Sequence, residues 1–298
     1  MPDPTVPPLI SFRLPFIQTH PPPPSPPLIL GLSGIQGIGK SSLAFSLSAF
    51  FGTQNLPTLS LSLDNFYHPH ATQALLFSST YHENPLLQRR GLPGTHDLLL
   101  LSSALDALRE RRGVRVPVYD KSAFGGEGDR LPEEQWQVVS EEQARSVRVV
   151  LLEGWCVGYR ALAEEDLQAR WLAAQEGPPG SELAAQEWAD VQMMNTLLQD
   201  YEAAVSARLD AFVLLDCERL EWAYGWREEQ EQRLREKSSG GGGKGMTEAQ
   251  VVEFVRGYFP AYELYVEPLR RGRVVQREGA NVRIVLDRER KVLSHSLV

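Results

Sequence analysis

Gly34-Ile35-Gln36-Gly37-Ile38-Gly39-Lys40-Ser41 matches the pattern Gly-x4-Gly-Lys-Ser/Thr in full. The glycines let a backbone wrap closely round phosphate oxygens, with several N–H groups turned inward. A helix starting where the loop ends adds the positive end of its dipole. In that geometry Lys40 reaches the β- and γ-phosphates of a nucleotide, and the Ser41 hydroxyl ligates Mg²⁺. The expected nucleotide-binding residues are Gly34, Ile35, Gln36, Gly37, Ile38, Gly39, Lys40, Ser41 and Ser42. The bare pattern arises by chance in on the order of one chain in a hundred, so its context decides. Leu28–Ser33 reads as a short apolar strand before the loop, and residues 41–51 have helical character after it.

Further along, residues 58–63 read as a second strand ending at Asp64. Residues 98–112 read as a helix with Leu98, Leu101, Leu105 and Leu108 on one face. Residues 114–119 are strand-like. Residues 146–152 and 211–215 are apolar strands ending at Glu153 and Asp216. A hairpin is expected from 282–286 and 291–297 around 287–290. Strands that alternate with helices, several of them apolar throughout, predict an α/β fold with a mainly parallel central sheet. That is the three-layer α/β/α architecture of P-loop NTPases, here with a helical lid at about residues 220–260. Residues 1–27 hold eleven of the 21 prolines and read as an extended arm before a kinase-sized domain at 28–298. Such an arm suits an SH3-type partner, although a plain tail is the simpler reading. Residues 175–182 read as a surface-loop insertion, and the glycine-rich 238–245 as a flexible one.

Ligands of open parallel sheets bind beyond the carboxyl ends of the strands. Asp64 and Glu153 fall there and, with Ser41, are the expected Mg²⁺ ligands. Asp64 is also expected to orient or deprotonate an acceptor hydroxyl. Asp216 reads as a cap of the next helix. The charged stretch 226–235 supplies Arg227 as the lid arginine, with Arg233 and Arg235 as alternatives. The catalytic set is therefore Lys40, Asp64 and Arg227. No Asn-Lys-x-Asp, Asp-x-x-Gly or Leu-Ser-Gly-Gly-Gln occurs, so GTPase and transporter-type readings lose support. ATP-dependent transfer to a small acceptor is expected. An ATPase coupled to a protein partner would instead show turnover that no small acceptor stimulates. A nucleotide-binding module would bind ATP without turnover.

Asp and Glu number 38 against 30 Lys and Arg, a net charge of −8, which argues against a nucleic-acid partner. No run of eighteen apolar residues predicts a membrane span. Cys156 and Cys217 sit in apolar runs without a Cys-x-x-Cys spacing and read as buried thiols in a reducing compartment. The cytoplasm is the expected location, with the nucleus also open, and protein partners are left unspecified. His68 and His70 form a His-x-His that lacks a third metal ligand nearby.

Arg90-Gly91-Leu92-Pro93-Gly94-Thr95-His96-Asp97 resembles the Gly-x-Pro-Gly-Thr-His-Asp segment of plant and fungal D-glycerate 3-kinases. Pro117-Val118-Tyr119-Asp120-Lys121-Ser122 with Gly126-Glu127-Gly128-Asp129-Arg130 resembles a second block of that family. Leu152-Glu153-Gly154-Trp155 resembles its Glu-Gly-Trp strand end. Trp226-Arg227, Gly245-Met246-Thr247 and Phe259-Pro260-Ala261-Tyr262 resemble its lid and the helix after it. The likeness runs from about Leu28 to the C-terminus and extends more distantly to phosphoribulokinase, uridine kinase and pantothenate kinase. The proline arm and residues 175–182 fall outside it. The resemblance implies a kinase for a small hydroxy acid, D-glycerate plus ATP giving 3-phosphoglycerate plus ADP. Another small acceptor on the same fold is the alternative. Arg90, Lys121 and Arg130 would then clamp the acceptor carboxylate. His96 and Asp97 would bond its hydroxyls, with Tyr119 alongside.

Overall fold

The computed structural model describes Ile17, His20, Pro21 and residues 23–237 and 246–298. Residues 238–245 and most of the proline-rich arm lie outside the described residues. Among the described residues ten strands occur in chain order: β1 (Leu28–Ser33), β2 (Thr58–Ser62), β3 (Val114–Val116), β4 (Tyr119–Asp120), β5 (Asp129–Arg130), β6 (Gln137–Val139), β7 (Val149–Glu153), β8 (Ala211–Cys217), β9 (Asn281–Leu286) and β10 (Val292–Leu297). Six form the central sheet in the order β10-β9-β8-β1-β7-β2. Every pairing in it is parallel except that of β10 with β9. β1 and β8 are buried along their whole length, and β7 up to its last residue. Unbroken apolar runs such as Val149-Val150-Leu151-Leu152 follow from that, because both faces of a central parallel strand are covered.

Helix Lys40–Thr53 packs across β1, β2 and β7. Helix Leu98–Arg109 buries Leu101, Leu105 and Leu108 and lies against helix Trp188–Ala204. It stops three residues short of the expected end. Arg111 there adopts a left-handed φ of 58°, and its guanidinium bonds the carbonyls of Ser25, Arg145 and Val147. The strand-like run 114–119 divides at Pro117, which has no N–H to offer a ladder. β3 pairs with β6 and β4 with β5, both antiparallel and both outside the central sheet. Ile17, at the end of the arm's apolar stretch, is buried within the hydrophobic core.

Asp216 is not a helix cap. It lies buried at the end of β8, paired with Arg270 at 2.8 Å and Arg283 at 2.6 Å. Arg283 comes from the neighbouring β9 and Arg270 from helix Phe259–Arg271, so two cations balance one buried carboxylate. Cys156 and Cys217 are free and buried. Among the described residues, no helix is long and apolar enough to cross a membrane.

Candidate active site

Sheet register decides what meets at the carboxyl edge. Glu153, the last residue of β7, stands level with Leu32 of β1 and Ser62 of β2. The glycine loop leaves β1 just beyond that level, and so does the short turn Leu63–Phe66 that carries Asp64. Helix Lys40–Thr53 starts without a side-chain cap, so no side chain competes for its leading N–H groups. Gly37 has φ 75°, and a Cβ there would stand 2.5 Å from the Cβ of Trp226. Glycine thus serves both the turn and the close approach of helix Trp222–Lys237.

Lys40 Nζ turns back into the loop and donates to the carbonyls of Gly34 at 2.8 Å and Ile35 at 3.1 Å. Burial lowers its pKa, while the charges of Glu153 and Asp64 act in the opposite sense. Ser41 Oγ donates to Glu153 Oε1 at 3.0 Å. These are hard oxygen donors of the type Mg²⁺ takes. Asp64 is engaged differently: Tyr67 donates to its Oδ1 at 3.0 Å and Lys121 to its Oδ2 at 2.5 Å. Burial pushes the Asp64 carboxyl up, but the charge and hydrogen bond of Lys121, with His96 and Tyr67, outweigh it. The net effect holds Asp64 well below the usual carboxylate range. Both Asp64 oxygens thus accept from protein donors, while Ser41 and Glu153, the other two expected metal ligands, face each other directly. Among the described residues there is no group of three His, Cys, Asp or Glu that could hold a metal. His70 instead pairs with Glu127 and stacks on Phe124.

Next to Asp64 lies His96, buried and stacked on the Tyr67 ring at 4.3 Å. Gly94 N–H donates to Tyr201 Oη, and that hydroxyl is 2.6 Å from His96 Nδ1. If the hydroxyl donates to Nδ1, the imidazole hydrogen sits on Nε2. Nε2 is buried with no protein partner. Burial lowers the His96 pKa to about 3, so the ring is neutral at physiological pH.

The other expected acceptor residues have protein partners. Arg90 bonds the carbonyls of Gly126, Glu127 and Lys121 and so braces the glycine loop 125–128. Tyr119 accepts from Gln73 at 2.9 Å and donates to the Glu127 carbonyl. Asp97 caps helix Leu98–Arg109 through the Leu100 N–H and pairs with Arg130 at 3.1 Å. Arg130 also donates to the Tyr67 carbonyl at 2.8 Å, and its side chain is only 9% exposed. Arg90 also reaches the Lys121 carbonyl, and Lys121, 57% exposed, pairs with Asp64. Arg130→Ala is expected to cost about 1.5–3 kcal/mol of stability, the worth of hydrogen bonds to a charged group. A urea titration checks it: an unchanged midpoint would show that the Asp97–Arg130 brace does not hold this region.

Helix Trp222–Lys237 packs on helix Glu248–Arg256 to form the lid region. Arg227 sits next to the loop, since its backbone N would lie 3.2 Å from a Cβ on Gly37. Its guanidinium pairs with Glu231 and lies 4.7 Å over the Phe254 ring, while Nε has no partner. Glu231 is buried and also accepts the Met246 N–H at 3.0 Å. Arg235 is taken up by Glu228 and the Met246 carbonyl, and Arg233 is exposed. Sequence reasoning passed over Tyr67 and Glu231, and also Tyr258, whose hydroxyl bonds the Arg90 carbonyl and closes on Gly91. A cavity of about 310 Å³ opens beside Trp226, lined by Arg219, Trp222, Glu229 and Arg288 among others.

Comparison with known proteins finds relatives among kinases. No family model matches the chain. It is 36% identical over 264 residues to an uncharacterized kinase, mug58, of Schizosaccharomyces pombe, covering 88% of this chain and 89% of that protein. It is 32% identical over 248 residues to the chloroplastic D-glycerate 3-kinase of Arabidopsis thaliana, covering 82% of this chain and 49% of the plant protein. Its structure superimposes on that of a D-glycerate 3-kinase from Cryptococcus neoformans with a TM-score of 0.86 at 29% identity, covering 99% of each chain.

Proposed function

The chain belongs to the family of ATP-dependent P-loop kinases that includes the D-glycerate 3-kinases, and we propose that it phosphorylates D-glycerate on its 3-hydroxyl. The observation that carries this reading is the meeting, at one sheet edge, of Ser41–Glu153 with Asp64–Lys121. The first pair belongs to phosphate and metal. The second offers a hydroxyl acceptor and a cation side by side, the minimum that a small hydroxy acid requires.

ATP phosphates lie against the loop N–H groups, with Lys40 swinging from the Gly34 and Ile35 carbonyls to the β- and γ-oxygens. The cavity beside Trp226 has room for the nucleoside. Ser41 and Glu153 would hold Mg²⁺, which when bound offsets phosphate charge. Lys121 has donors to spare beyond its bond to Asp64 and takes the acceptor carboxylate. His96 Nε2–H is a second donor for an acceptor oxygen. Asp64 accepts the hydrogen bond of the attacking hydroxyl. Being ionised but weakly basic, it takes the proton late, as the O–P bond forms and the bond from Pγ to the bridging oxygen of ADP breaks. Arg227 and the lid helices close over the transferred group and exclude water.

Lys121→Ala separates this reading from other uses of the site. The acceptor KM is expected to rise roughly ten- to a hundredfold, as for loss of one charge-assisted bond, with the ATP KM little changed. Because Lys121 is what holds Asp64 down, its removal lets burial raise the Asp64 pKa. The acid limb of the kcat profile then moves to higher pH. An unchanged acceptor KM together with an unmoved acid limb would remove Lys121 from the acceptor site.

A further inference from the structure

Arg290 lies in the turn joining β9 to β10, far in sequence from the glycine loop. Its backbone φ of 60° is in the left-handed region that non-glycine residues seldom adopt. The side chain reaches three separate elements. Nε donates to the Gly37 carbonyl at 2.9 Å. A terminal nitrogen pairs with Glu229 of helix Trp222–Lys237 at 2.8 Å. The guanidinium plane lies 5.1 Å over the Trp226 ring, while Trp226 itself donates to the Arg288 carbonyl at 2.8 Å.

The Gly37 carbonyl shares a peptide unit with the Ile38 N–H. A cation on that oxygen fixes the loop's outward-facing side and polarises the unit, making the N–H a stronger donor. Internally, that N–H has only a long bond of 3.4 Å to the Ile35 carbonyl. Glu229 and Trp226 belong to the helix that carries Arg227, so the same guanidinium also sets the distance from lid to loop. We propose that Arg290 is a positioning residue for the nucleotide, acting through the Gly37 peptide and the base of the lid. This rests on the kinase reading above and extends it to a segment at the far end of the chain.

The test is direct titration of MgATP by calorimetry, with steady-state kinetics in parallel, on wild type, Arg290→Ala, Arg290→Lys and Lys40→Ala. For Arg290→Ala the ATP Kd and KM are expected to rise roughly tenfold or more, with the acceptor KM within about twofold of wild type. Arg290→Lys keeps a charge and a donor for the Gly37 carbonyl and should recover a large part of the loss. It also serves as the readout if the alanine variant does not fold. An alanine variant that binds ATP as wild type does overturns the inference. So does one that weakens ATP and acceptor equally with no rescue by lysine, since that marks a hairpin clamp and nothing more. If Lys40→Ala weakens ATP while Arg290→Ala does not, only this inference falls. A wild-type protein that binds no ATP removes the kinase reading and this one with it.

Discussion

Lys40→Ala is expected to lower kcat by about 10²–10³-fold or more, the range seen when one preorganised charge-stabilising donor is removed. Lys40 Nζ is held between the Gly34 and Ile35 carbonyls and feels the charges of Glu153 and Asp64. It is the cation of the loop itself, and on this mechanism no neighbour replaces it as charge moves onto the leaving oxygens. The fold should tolerate the change. Burial already disfavours the charged ammonium, so removing it relieves a desolvation cost that offsets the two lost hydrogen bonds. Circular dichroism and the melting temperature should therefore stay near wild type while turnover collapses. A folded variant with wild-type turnover would show that the loop does not position a transferred phosphoryl group.

Asp64→Asn is expected to lower kcat by about 10²–10⁴-fold, with the ATP Kd little changed. Asparagine keeps the shape and can still accept from Tyr67, but it cannot take a proton and no longer pairs with the Lys121 charge. The wild-type carboxylate is held low by Lys121 against the opposing effect of burial. It therefore stays ionised across the neutral range, and its role as an oriented acceptor should show little pH dependence there. Single-turnover measurements separate the chemical step from binding. If the asparagine variant keeps its chemical step and loses ATP affinity instead, Asp64 serves the nucleotide rather than the acceptor.

How much of this was legible in the sequence depends on where each residue's partners come from. The glycine loop was legible because one contiguous octapeptide carries the turn, the charge and the hydroxyl. Glu153 and Asp64 were legible because an apolar strand ending in an acid marks the sheet edge. Arg130 was not. Its partners include the Tyr67 backbone carbonyl, and a carbonyl leaves no trace in a residue pattern. The same holds for Arg90, spent on the carbonyls of Gly126, Glu127 and Lys121. Asp216 looked like Asp64 from its own strand alone. The neighbours supplied by β9 and by helix Phe259–Arg271 make it an ion-pair hub instead. Arg290 gave no local signal, because its partner Gly37 is joined to it only by the closing of the fold.

The most direct measurement is the reaction itself. Purified protein is incubated with ATP, Mg²⁺ and D-glycerate, ADP release is followed against an acceptor-free control, and the product is examined by phosphorus NMR. The account predicts ADP release that depends on D-glycerate and a single product phosphorylated at the 3-position. ADP release no greater than the acceptor-free background, or a product phosphorylated at the 2-position, would contradict it.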